Sequence, residues 1–360
     1  MLIRATLLPG GDAIDAWEAW LASARSSKID AEEARLFPLL YHNLVEAGVG
    51  EERLGQYRKS WQRSRFSMSI LHREAIGAAR LLSGHAIPVV FLKGIALAHL
   101  YYREPGLRPM ADFDLLVPRD SALRAAAILE SSGWLARAPL TKDALDVSHG
   151  VEISRGGVHC DLHWSVMWEG NTSIDEEIRE HAIVATIDGV DVRLPSHADQ
   201  LLHVIVHGTR IGEGRMLRWV PDSHLVLTRA ESAIDWGRFK RMVIEHELAW
   251  PVRDALLYLR DLAGTPVPEE LIAQIPPRSP SALEKRVHSV EIERTGTRGA
   301  LVYLPTLISR YRRMAGGGFA GRFRWIATAF GQAWGVSGAR LPFELIRRGR
   351  KKIGQVLGIK

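Results

Sequence analysis

The chain has 360 residues, 46% of them hydrophobic, enough to bury a substantial core in one or two domains. Its one cysteine, Cys160, excludes an intrachain disulfide and any cysteine-rich zinc site. The net charge of +6 is uneven, because residues 310–360 carry 12 Lys and Arg against the single acid Glu344, a segment of +11 behind a body of −5.

The N-terminal apolar run is short and breaks at Gly10-Gly11-Asp12, which does not fit a secretory signal. No stretch has the length and apolarity of a membrane span. The expected location is therefore the cytoplasm, with the inner face of the membrane as an alternative. From Asp12 to about Leu82, apolar residues recur at mixed three- and four-residue spacing (Trp17, Trp20, Leu21; Leu36, Leu39, Leu40, Leu44), which predicts an N-terminal helical layer over 1–85.

Next come a strand over IPVVFL (87–92), a helix from Gly94 to Tyr102, a turn-forming REPGLRP and a strand over DFDLLV. Pro118-Arg119-Asp120 then opens a helix. VEISR and VHCDLHW are joined by Gly156-Gly157, a link that accommodates the positive φ angles of primed turns, and a second hairpin turns at Asp188-Gly189. Pro195-Ser196 introduces the helix HADQLLHVIVHGTR, and the chain from Arg215 onward reads as mainly helical. The expected fold is α+β: a small mixed sheet in a core over 86–200, flanked by the N-terminal helices, a helical region over 201–318 and a basic amphipathic tail over 319–360.

Side chains two apart on a strand share a face, so Asp112 and Asp114 point the same way, and so do His159, Asp161 and His163. Like charges on one face repel unless a cation or a proton lies between them. Asp112, Asp114 and Asp161 are thus candidate catalytic residues and candidate ligands for one or two Mg²⁺ or Mn²⁺ ions, hard cations that favour oxygen. Two such ions can activate an attacking hydroxyl and hold a triphosphate. The Lys93-Gly94 turn ends a strand and begins a helix, which offers backbone N–H groups and a lysine charge to phosphate, and Arg108 is a further candidate clamp.

FLKGIAL, RPMADFDLLV and the later HCDLHW resemble the DNA polymerase β-like nucleotidyltransferase superfamily, and within it an uncharacterised nucleotidyltransferase family with a Lys-Gly turn, Arg-x-x-x-Asp-x-Asp and a later Asp-Leu-His. The resemblance spans roughly Ile87 to Leu227, with the N-terminal helices and the tail largely outside it. It implies metal binding by Asp112 and Asp114, completion of the site and acceptor activation by Asp161, phosphate contact at Gly94, and cofactor-site places for His207 and for Asp222 in Trp219-Val220-Pro221-Asp222. The implied activity is metal-dependent transfer of a nucleoside monophosphate, AMP from ATP foremost, to an unknown hydroxyl or phosphate acceptor. The superfamily's usual turn is Gly-Ser; here Ile95 follows Gly94, so that hydroxyl is missing.

Other readings stay open beside this one. A non-catalytic nucleotide sensor or scaffold would use the same pocket, and modification of RNA or DNA ends would need the basic tail to offset the acidic body. His163 either bonds the acceptor or nucleotide or caps the sheet face. His159, Asp161 and His163 also imitate a transition-metal site. His203 and His207 have ligand spacing on a helix but read better as a packed pair, and Trp219, Trp236 and Trp250 read as core. GGGFAG at 316–321 has no preceding strand and reads as a helix break. The tail mixes aromatics with Arg347, Arg348, Arg350, Lys351 and Lys352, which makes an anionic membrane surface a candidate partner, against a solvated helix packed on the domain.

Overall fold

The computed structural model describes residues 1–277 apart from 25–28, 138–139, 167–171, 210–216 and 247. The glycine run at 316–321 and the basic tail over 319–360 lie outside the described residues.

The chain opens with helices Leu2–Leu7 (α1), Gly10–Ala24 (α2), Ala31–Ala34 (α3), Phe37–Glu46 (α4) and Gly55–Gly84 (α5). Strand Val90–Leu92 (β1), helix Lys93–Tyr101 (α6), strand Asp112–Leu116 (β2) and helix Ala122–Ser131 (α7) follow. Then come strand Leu135–Ala136 (β3), helix Lys142–Val147 (α8), strands Gly150–Arg155 (β4) and Val158–His163 (β5), helix Thr172–Glu180 (α9), and strands Ile183–Ile187 (β6) and Val190–Leu194 (β7). Helices His197–Gly208 (α10), Trp219–Arg229 (α11), Trp236–Glu245 (α12), Ala249–Ala263 (α13) and Glu269–Gln274 (α14) complete the described chain. α1, β3 and α8 are too short to show a full period, and sequence pattern passes over these three and over α9.

Among the described residues the strands form one mixed seven-stranded sheet in the order β3-β4-β5-β2-β1-β7-β6. β2 pairs parallel to β5 and antiparallel to β1, and β1 pairs parallel to β7. The hairpins β4–β5 and β6–β7 turn where their sequences require it, on Gly156 and Gly157 (φ +57° and +82°) and on Asp188 and Gly189 (φ +48° and +72°). Ser196 caps α10 by accepting from the Asp199 N–H.

The described residues pack into three apolar cores. Trp17, Trp20, Phe37 and Tyr57 centre the first, where Trp17 meets Tyr57 edge to face at 6.2 Å. Met68, Leu71, Ile76 and Leu82 of α5 then pack with α7 on one face of the sheet, against Phe113, Leu115, Cys160 and Leu162. The third core lies beneath the opposite face and joins α6 to α10–α14 through Leu92, Leu116, Leu201 and Ile205. Alternation along β2 and β5 therefore sends Asp112, Asp114, His159, Asp161 and His163 to the face away from α5.

Candidate active site

β1 ends in a sharp turn. Leu92 is extended, and Lys93, the first residue of α6, has φ +40°, a left-handed conformation that costs a residue with a Cβ about 1–2 kcal/mol. The turn aims the side chain at β2, where Asp114 sits opposite Leu92 in the ladder, and Lys93 Nζ donates to Asp114 Oδ1 at 2.7 Å. Gly94 is required by its neighbours: a Cβ there would lie 2.2 Å from Met110 Sδ and 3.0 Å from Arg108 Nη1.

The β2–β5 register places Asp114 beside Asp161. Asp114 is buried, and its Oδ1 also meets His163 Nε2 at 2.9 Å. Burial works to raise the Asp114 pKa, but the Lys93 ammonium and then His163 overcome it and hold the carboxyl far below its usual range. Asp161, half-buried, is pushed up to about 6 by burial and by the Asp114 charge, with His163 opposing. Asp112 is exposed yet set in a concave wall, and the surrounding protein and the Asp114 charge raise its carboxyl too. Among the described residues, the donor atoms that lie within 4.8 Å of one another and could hold a metal ion come from Asp114, Asp161 and His163; Asp112 is not part of that set.

These groups line a cavity of about 550 Å³, a volume suited to a small-molecule ligand. Arg108, buried, donates from Nε and Nη2 to the two oxygens of Asp222 on α11, each at 2.8 Å, and Tyr102 Oη donates to Asp222 Oδ1 at 2.7 Å. Burial opposes the Arg108 charge, but Asp222 keeps the guanidinium protonated. His207 lines the cavity from the end of α10, and Glu32 and Arg35 reach it from the N-terminal layer.

A family model described as an uncharacterised nucleotidyltransferase matches residues 30–264, more than half of the chain. The chain belongs to that family. Among curated proteins no relative matches. The solution structure of the antibiotic-resistance factor ANT(2'')-Ia shares 18% identity with this nucleotidyltransferase over 51% of its chain and 98% of the other, with a TM-score of 0.35. The family match carries the assignment. It also corrects the extent expected from the motifs, since it takes in α3–α5 and runs through α13.

The nucleotidyltransferase thus gathers Lys93, Gly94, Arg108, Asp112, Asp114, Asp161, His163, His207 and Asp222 around one cavity. Two expectations change in detail, and one alternative reading is set aside. Lys93 bonds Asp114 instead of standing free for phosphate, because the left-handed turn points it across the ladder. Asp222 spends both oxygens on Arg108 and Tyr102, so it positions a cavity residue. The face trio on β5 does not close as a metal site, because exposed His159 turns to Glu152, 3.1 Å away on β4, while His163 turns to Asp114. His203 and His207 pack edge to face at 6.1 Å. Sequence reasoning missed Glu32, Arg35, Met110 and Arg218; Trp219 packs against the core as expected and also lines the cavity. Arg218 adjoins the Trp219-x-x-Asp222 motif, which was a usable signal; Arg35 had none, since only tertiary packing brings α3 to the sheet.

Proposed function

We propose that this nucleotidyltransferase moves AMP from ATP, with Mg²⁺ or Mn²⁺, to a hydroxyl or phosphate acceptor. The observation that carries the reading is the Asp114–Asp161 pair set beside the Lys93–Gly94 turn in one cavity. In the reaction an acceptor oxygen forms a bond to the α-phosphorus, the bond from that phosphorus to the oxygen bridging to the β-phosphate breaks, and pyrophosphate leaves with the electron pair. The acceptor's proton goes to the Asp161 carboxylate, which stands beside Asp114 in the cavity.

The carboxylates fit the cation such chemistry uses. Asp114 and Asp161 present adjacent oxygens, with Asp112 on the same strand face, and a hard divalent ion prefers oxygen. Bound there, it would neutralise phosphate charge and lower the pKa of an attacking hydroxyl. His163 orients Asp114, and Lys93 is free to pass from Asp114 to a phosphate once another cation serves the carboxylate. Purified protein with labelled ATP, Mg²⁺ and cell extract is expected to label an acceptor. Chelation of the metal, Asp112→Asn or Asp114→Asn is expected to reduce labelling by about 10²–10³-fold, the scale of a lost charge-stabilising contact in the transition state. Labelling that survives both substitutions would sink this reading.

One observation favours a second reading. Lys93 satisfies Asp114 without any metal, as suits a nucleotide-binding sensor or scaffold with no turnover. Tight ATP binding with no pyrophosphate release across an acceptor screen selects it. The tail over 319–360 has a sequence suited to an anionic membrane surface, and binding of the full chain to anionic vesicles that weakens with salt is the corresponding test.

A further inference from the structure

We propose that Arg218, flanked by the open edge of Arg108 and by helix α3, grips the pyrophosphoryl end of the nucleoside triphosphate. This rests on the nucleotidyl-transfer reading and assigns a leaving-group subsite to a residue outside the recognised motifs.

Among the described residues three guanidinium groups line the cavity. Arg108 is matched by Asp222, and Arg35 by Glu32 at 2.9 Å. Among the described residues Arg218 makes one hydrogen bond, from Nη1 to the Pro109 carbonyl at 2.7 Å, and no ion pair. Asp222 and Glu32 attract this guanidinium without a direct bond to it, so its remaining N–H donors are available to a ligand. Burial, then the nearby Arg108 and Arg35 charges, push the Arg218 pKa down, a like-charge crowding that a multiply charged anion would relieve. Arg108 adds one more donor: Nη1 makes no hydrogen bond among the described residues and lies 3.0 Å from the place of a Cβ on Gly94, beside the first turn of α6.

Position decides which anion. Arg218 is held on the Asp112 side of Asp114, because its Nη1 donates to the carbonyl of Pro109, three residues before Asp112, whereas Asp161 stands across the ladder from Asp114 on β5. In-line displacement puts the attacking oxygen and the leaving group on opposite sides of the α-phosphorus. An acceptor activated by Asp161 thus leaves the Asp112–Arg218 flank for the β- and γ-phosphates. A guanidinium fork suits that place, since it can hold two phosphate oxygens at once. α3 braces the arrangement: Asp30 and Glu33 close a capping box at its start, and Glu32 holds Arg35 and approaches the Leu217 N–H at 3.5 Å.

Calorimetric titration of the full chain with Mg²⁺-ATP, Mg²⁺-pyrophosphate and AMP, without acceptor, tests the assignment. Arg218→Gln is expected to weaken ATP and pyrophosphate binding about 10–100-fold, the range for a hydrogen bond to a charged group, and AMP by less than about threefold. Arg218→Lys, which keeps the charge and loses the fork, should fall between, and it carries the test if Arg218→Gln does not show a native thermal transition. If wild type and both variants bind ATP and pyrophosphate alike, the subsite is refuted while nucleotide binding stands. An equal loss for AMP also refutes it, because Arg218 would then serve the nucleoside or the fold. Wild type that binds pyrophosphate but no nucleotide would keep the anion site and remove the transfer reading; wild type that binds none of the three removes both.

Discussion

Among the described residues of this nucleotidyltransferase sit two buried arginine–aspartate forks, and they differ in what they leave unused. Arg238, on α12, gives Nε and Nη2 to Asp199 at 3.1 and 3.2 Å and Nη1 to Glu177 at 3.4 Å. Every nitrogen is engaged, and the fork locks α10 to α12 and α9. Arg108 gives the same two nitrogens to Asp222 but turns Nη1 toward Gly94 and the cavity. The same chemistry is closed in one place and open in the other. A buried fork is weak evidence of net stabilisation, because desolvation offsets its attraction. A nitrogen left facing a cavity is the sign of a second duty.

The difference can be broken first at the closed fork. Arg238→Met strands Asp199 in the interior and is expected to cost about 3–5 kcal/mol in urea denaturation, with ATP affinity unchanged wherever the protein is still folded. Arg108→Met strands Asp222 and should cost up to about the same in stability, but it should also weaken ATP binding by about tenfold, since a ligand donor goes with it. Equal ATP affinity in the two variants would erase the distinction.

Gly94→Ala probes the open edge without touching either fork. Its Cβ would force the Met110 thioether aside and crowd Arg108 Nη1, for about 1–3 kcal/mol of overpacking and a weaker ATP isotherm. The smallest expected effect comes from His224, two residues beyond Asp222 on α11. Burial depresses its pKa to about 4, and Nδ1 bonds Thr265 Oγ1 at 2.8 Å. The unfolded ring protonates near 6.5 and the folded one near 4, so its contribution is complete above pH 6.5 and is lost as pH falls from 6.5 to 4. Allowing for partial exposure, a loss of roughly 1–2 kcal/mol is expected, and His224→Asn should flatten that part of the stability–pH curve.

Much of the sheet could be read from the residues. Alternation on DFDLLV and VHCDLHW assigned the faces, and two glycine-bearing turns set the hairpins in register. Adjacency of Asp114 and Asp161 followed once those strands paired. Side-chain partnerships were less legible, because they depend on where a turn aims a long side chain. Lys93 reaches Asp114 through a left-handed φ that no lysine advertises, and His159 is drawn off by Glu152 from the neighbouring strand. The α3 contribution was hidden for a simpler reason: Arg35 and Arg218 are 183 positions apart and meet only because the N-terminal helices lie over the cavity.

Helix α5 has thirty residues and is about 45 Å long at the usual rise. Its first turns carry Tyr57 among the tryptophans of the N-terminal layer, and its later turns carry Met68 to Leu82 onto the sheet. A beam shared by two rooms cannot be removed from one of them. Neither core can melt while the other keeps its helix whole, so the N-terminal layer is no detachable accessory, and a fragment that begins at the first strand would expose the apolar underside of its own sheet.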